Sequence, residues 1–352
     1  MSRWIKLLLS LAITVLAGWA TLRGTDWGLM WASLRYANWF VLASYLLVLV
    51  VVHFARTLRW GNLLSAQEHV PFKPLNEASA IGFMMLVILP FRLGEFARPF
   101  LIAQRSSIRR SVAMTSVVFE RIVDGVAVAA LLLVLLLFIP SDAPDVGKIR
   151  VGGLLTFAVF FGGFLFLLLA RWQHDRVIAF LRALFGIVSK KVAEKVVHIV
   201  DGFVGALKQL PDRKNMALFL MWTTVYWVIN GLGMALFANG LDCSGANGAA
   251  CQPLHLTAFQ GYVALGAVIV GMLIPAAPGS AGTFQYAITL ALGLFMPQNV
   301  VKSAGAAFAW SLWIVQILQQ IVTGLFFMVR SHLSFRDLAG KLSDQSQQAS
   351  GV

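Results

Sequence analysis

NEASAIGFMMLVILPFRLGEFARPFLIAQ, residues 76–104, decides the fold. It begins as an apolar helix, breaks at Pro90, places Arg92, Glu95 and Arg98 within seven residues, and turns apolar again over residues 100–103. Neither arm holds the roughly 20 apolar residues that a spanning helix needs. Charges and non-helical backbone at membrane depth persist where they are buried in protein or line a polar cavity. Two architectures fit: a re-entrant hairpin carrying a polar site, and one tilted helix kinked at the proline.

The rest of the chain supplies the context. Of 352 residues, 59% are hydrophobic and 12% charged, and mean hydropathy is +0.79. A soluble domain is nearer one-half apolar and one-quarter charged, so the chain reads as an integral membrane protein. Its net charge of +13 lies in short loops between apolar runs, which fits the anionic cytoplasmic leaflet rather than nucleic acid. Full spans are expected at residues 7–22, 39–55, 111–139, 151–170, 215–238 and 303–329, with a short external loop at 23–38. A second broken stretch runs from 255 to 295 and is interrupted by IPAAPGSAG. Residues 171–214 carry nine Lys/Arg interleaved with apolar residues at helical spacing. That pattern fits amphipathic helices on a membrane surface, or a helical pair packed on the protein's own inner face.

Topology chooses between hairpin and kink. Positive residues bias short loops toward the cytoplasm. If both breaks are re-entrant, from opposite sides, twenty Lys/Arg lie inside and five outside (Arg23, Arg35, Lys148, Arg150 and Lys302). Arg92, Arg98 and Arg121 remain within the membrane. The expected fold is therefore an all-α polytopic helical bundle of about six spans and two opposed re-entrant hairpins, with both termini cytoplasmic. The breaks also share a pattern: Pro90-x-x-x-Gly94-x-Phe96 and Pro278-x-x-x-Gly282-x-Phe284 lie 188 residues apart. An inverted repeat is predicted, with halves at about 39–139 and 215–329 inside one domain, 1–341, followed by a disordered tail, 342–352. In secondary transporters of this kind the substrate site lies where broken helices meet.

The candidate site follows. Arg92 and Arg98 offer guanidinium forks suited to phosphate or carboxylate, and Glu95 lies between them. Glu120 and Asp124 share a helix face, with Arg121 beside them. This group serves either a bound headgroup or a buried salt-bridge network that holds the hairpin. In the second break, Pro278-Gly279-Ser280-Ala281-Gly282, the glycine-rich backbone and the helix start at Thr283 would present free N–H groups to an anion, and Gln285 adds a neutral contact. Cys243 and Cys251 share an external loop and are expected to form a disulfide. No Walker loop, HExxH or nucleophile elbow is present, and no metal-ligand spacing accompanies the cysteines. Neither enzyme activity nor a cofactor is expected.

Three motifs in order, LPFRLGEFARPF (89–100), RSSIRRSVAMTSVVFERIVDG (105–125) and PGSAGTFQ (278–285), resemble the flippase-like transmembrane domain of lysylphosphatidylglycerol synthases. ARTLRW (55–60) fits the same family. The resemblance covers nearly the whole chain. It implies a stand-alone member in a bacterial inner membrane that moves aminoacylated phosphatidylglycerol, or a related anionic lipid, between leaflets. By position it assigns Arg92, Glu95, Arg98, Glu120, Arg121, Asp124, Pro278, Gly279 and Gly282 to the site. Where the family's second motif often ends in an acid, this chain has Gln285, so the carboxylate that would meet a cationic headgroup is missing there. Membrane lipids are the expected partners. The competing expectation is a non-transporting partner of a lipid-modifying or glycosyl-transfer enzyme, docked through residues 171–214.

Overall fold

A computed structural model describes residues 3–89, 94–140, 145–187, 189, 190, 194, 197, 200, 211–241, 252–273, 278–331 and 333. Arg92, Pro90, Cys243, Cys251 and the tail at 342–352 lie outside the described residues. Every described element is helical. The helices are α1 (Arg3–Leu22), α2 (Trp27–Arg35), α3 (Trp39–Leu64), α4 (Phe72–Ile88), α5 (Ala97–Ala103), α6 (Arg110–Leu136), α7 (Val146–Trp172) and α8 (His174–Gly186). They continue with α9 (Arg213–Asn239), α10 (Ala258–Gly271), α11 (Thr283–Leu292) and α12 (Ala306–Arg330).

Among the described residues, four helical stretches are long and apolar enough to cross a membrane: Trp39–Leu64, Val146–Ala170, Arg213–Asn239 and Gln298–Arg330. Helices α1 and α6 occupy the other two predicted spans; Arg3 and Lys6 precede the first span at the start of α1, and Glu120, Arg121 and Asp124 lie within the second. The chain is a multi-pass, all-α membrane protein. The predicted loop at 23–38 contains a further helix, α2, which the sequence reading did not find. Asp26 starts it by accepting the Leu29 N–H at 2.9 Å, a side-chain cap that satisfies one of the free donors of the first turn.

The first break is a hairpin. An ideal Cβ on Gly94 would lie 2.0 Å from the Leu86 backbone nitrogen, and one on Gly82 would lie 2.2 Å from Arg98 Cγ. Farther along, Arg105 ion-pairs with Glu77. Partners thus recede along α4 as the chain advances, so α5 retraces α4. A kinked single span would carry these residues apart. Glycine at 94 is required by this close approach, because any side chain there would strike the last turn of α4.

The second break closes in the same way, with Gly271 against Ala287 and Thr283 and the Phe259 and Phe295 rings 6.0 Å apart. Its turn needs left-handed backbone at Gly279 (φ 68°), Ser280 (φ 55°) and Gly282 (φ 82°), conformations that glycine adopts without a Cβ clash.

The two hairpins exchange neighbours. Helix α4 packs on α12, and α10 packs on α6; α3 packs on α9. Within each half, α4–α5, α5–α6 and α3–α4 contacts recur as α10–α11, α11–α12 and α9–α10. Helices α3 and α9 run antiparallel: the Asn38 N–H donates to Gly240 O at 2.7 Å at one end, and Arg59 sits 4.6 Å over the Tyr226 ring toward the other. Counterpart helices running in opposite directions are what an inverted repeat requires, because repeats related along the membrane normal keep theirs parallel. Small residues permit the close contacts: Gly324 meets Met84 and the Ala80 carbonyl, and Gly266 meets Leu132. Lipid tails are as apolar as leucine, so packing between helices in a bilayer depends on such close approach.

Candidate functional site

Arg59 is the centre of the charged cluster. About one and a half turns from the end of α3, it is fully buried. Its guanidinium donates to both Asp124 oxygens, at 2.6 and 2.7 Å, and to Glu120 Oε1 at 2.8 Å. Trp227 Nε1 of α9 also donates to Asp124 Oδ1 at 3.1 Å. Glu120 is fully buried too and takes both arms of Arg98, at 3.3 Å each. One buried network therefore ties α3, α5, α6 and α9 together, and each of its carboxylates has a guanidinium fork. Bidentate, charge-assisted pairs of this kind are the strong ones.

Arg121 is held more loosely. Its nearest carboxylates are Glu95 at 3.8 Å, Asp124 at 3.8 Å and Glu120 at 4.0 Å, all longer than a hydrogen bond. Arg56, one turn before Arg59 on α3, has no carboxylate within ion-pair distance among the described residues. It lies 3.5 Å over the Phe83 ring and 5.8 Å from that of Tyr226, and its buried Nε meets no acceptor. Four described arginines (56, 59, 98 and 121) thus face three carboxylates, Glu95, Glu120 and Asp124. Cation–π contact offsets part of the charge's desolvation but does not cancel it.

A cavity of about 470 Å³ opens beside this network, where the two halves meet. Arg56, Arg121 and Asp124 line it from α3 and α6, and Pro278, Gly279 and Ser280 line it from the second break. Tyr226, Trp227, Trp313 and Phe284 supply aromatic wall, and Gln316, Gln319 and Gln320 a polar strip on α12. Trp313 Nε1 donates to Gly279 O at 2.8 Å and fixes the left-handed turn against α12.

The predicted residues therefore divide. Arg121, Asp124, Pro278 and Gly279 line the cavity. Arg98 and Glu120 stand behind it in the buried network, and Glu95 reaches Arg121. Gly282 faces α1, where a Cβ would meet the Thr14 carbonyl at 2.6 Å. Gln285 is fully buried and accepts the Gly282 N–H at 2.7 Å. It closes the start of α11 upon itself instead of offering that N–H to an anion. Arg92 lies outside the described residues.

Two arginines central to the site, Arg56 and Arg59, lie just past the span expected at 39–55, among the Lys/Arg counted inside. The helix instead continues to Leu64 and carries both inward. Their i, i+3 spacing within an apolar helix was the available signal, since it puts both on one face.

A family model described as Lysylphosphatidylglycerol synthase TM region matches residues 5–319. The chain belongs to this family. Neither the curated proteins nor the solved structures compared with it give a match. The span matched by the family takes in both hairpins, the buried network and the cavity lining as far as Gln319.

Proposed function

We propose that this protein translocates a lipid headgroup between leaflets of a bacterial inner membrane, through the cavity between its two halves. The observation that carries the reading is a cavity of about 470 Å³, lined from both halves and from the second break, whose largely apolar wall carries Arg56, Arg121, Asp124 and three glutamines. Pockets of roughly 300–1,000 Å³ hold small ligands, and a glycerophosphate-type headgroup is of that class. The family's name, which refers to a lipid synthase's transmembrane region, supports a lipid as the ligand. Opposed hairpins around a midplane site are the arrangement through which alternating access proceeds in transporters.

Reconstitution tests it. Purified protein in liposomes of otherwise neutral lipid should move fluorescent phosphatidylglycerol between leaflets faster than protein-free liposomes do. Equal rates would leave the protein as a membrane partner of another enzyme.

The reading also sets orientation. Ser107 and Lys148 flank opposite ends of α6, whose 27 residues span about 40 Å. In a chain freed of its own cysteines, Ser107→Cys should react with impermeant maleimide only from the cytoplasmic side, and Lys148→Cys only from outside. Both reacting from one side would contradict the predicted topology.

A further inference from the structure

The cavity has a sign. Its charged lining consists of Arg56, Arg121 and Asp124. Asp124 already has its charge paired, since Arg59 occupies both its oxygens and Trp227 adds a third bond. No described carboxylate in the cavity is therefore left for an amine. Arg56 is in the opposite condition. Among the described residues no carboxylate lies within ion-pair distance of it, and a further arginine, Arg59, sits one turn away on the same helix. Its guanidinium carbon lies 3.5 Å over the Phe83 ring and 5.8 Å from that of Tyr226. A cation held by ring faces has no anion to neutralise it, and its N–H donors remain open to a phosphate fork.

We infer that Arg56 is the anion-binding residue of this cavity and that it selects a phosphate ester carrying no compensating amine, such as an unmodified phosphatidylglycerol-type headgroup, over an aminoacylated one. The inference rests on the cavity being the ligand site, as proposed above. A bidentate phosphate would complete the pairing that the protein leaves open at Arg56. An aminoacylated headgroup would bring a cation to a cavity with surplus positive charge and no free acid. Specificity of this kind comes from the group left unpaired in the wrong complex.

The test uses detergent-purified full-length protein and short-chain probes: dioctanoyl phosphatidylglycerol, its lysyl ester, dioctanoylglycerol and free glycerol phosphate. Wild type should bind the phosphatidylglycerol probe at least tenfold more tightly than the lysyl ester or dioctanoylglycerol. Arg56→Gln should lose that preference, weakening the phosphatidylglycerol probe about tenfold or more while leaving dioctanoylglycerol unchanged. Arg56→Lys, which keeps charge without the fork, should fall between. Because Arg56 has no acidic partner to strand among the described residues, Arg56→Gln should melt no lower than wild type, so loss of binding cannot be put down to unfolding. Competition by glycerol phosphate would identify a free phosphate ester as ligand, and its failure to compete would identify the lipid. Equal binding of phosphatidylglycerol by wild type and Arg56→Gln would overturn the inference, as would preference for the lysyl ester. Binding that depends on Arg56 without any leaflet exchange would keep the inference and remove translocation.

Discussion

Replacing Arg59 with methionine should lower stability by roughly 3–5 kcal/mol, the usual result of deleting one partner of a buried ion pair. Arg59 is fully buried and serves Asp124 and Glu120 together. Without it, Asp124 keeps only the Trp227 donor and the distant Arg121, while Glu120 keeps Arg98. The variant should express poorly and melt far below wild type in detergent. Adding Asp124→Asn removes the stranded charge and should recover most of the melting temperature, since Trp227 can still donate to the amide oxygen. The network would not be a structural core if the single variant melted as wild type does, or if the double variant fared no better than the single.

Arg121→Gln should do the reverse. Its three ion-pair distances of 3.8–4.0 Å and its position on the cavity wall mean that little structure depends on it. Stability should change by less than about 1 kcal/mol, as for loosely paired, partly exposed charges. Leaflet exchange of labelled phosphatidylglycerol should fall roughly 10- to 100-fold, the loss expected when a hydrogen bond to a charged group worth ~1.5–3 kcal/mol is deleted from the bound state. Lysine at the same position should restore part of the rate. An Arg121→Gln protein that exchanges lipid at the full rate would take this residue out of the transport path. With Arg59, it separates the two roles a central charge can have here: Arg59 holds the helices, while Arg121 lines the cavity beside Arg56.

The hairpins were legible in the sequence because two independent signals agreed, proline breaks in apolar stretches (the first flanked by charge) and a strongly one-sided distribution of Lys/Arg. Moving Arg56 and Arg59 from the cytoplasmic end into the bundle reduces the inside count to eighteen against five outside, and the bias survives. Pairing was not legible. Arg59 reaches Glu120 and Asp124 across 61 and 65 residues, and no local pattern encodes which arginine takes which acid. Gln285 was assigned to the ligand because a glutamine after a glycine-rich break looks like a polar contact. Its place three residues after Gly282 was the better guide, since a glutamine there reaches back to the first free N–H of its own helix. The helix α2 escaped notice because interfacial tryptophan and tyrosine mark depth in the membrane and not conformation.

Each hairpin rests against the closing helix of the other half, and this bears on how the chain is made. During synthesis, α4 and α5 leave the ribosome with the surface that Gly324 later covers, formed by Met84 and Ala80, still facing lipid or the insertion machinery. About 200 residues separate the end of α5 from the start of α12. At translation rates of roughly 5–20 residues per second, the first hairpin waits on the order of 10–40 s for its neighbour. Its own buried charges must be sheltered first by α3 and α6 and later by α9, which brings Trp227 to Asp124, so a ribosome stalled before residue 306 would release a half-built bundle for quality control to remove.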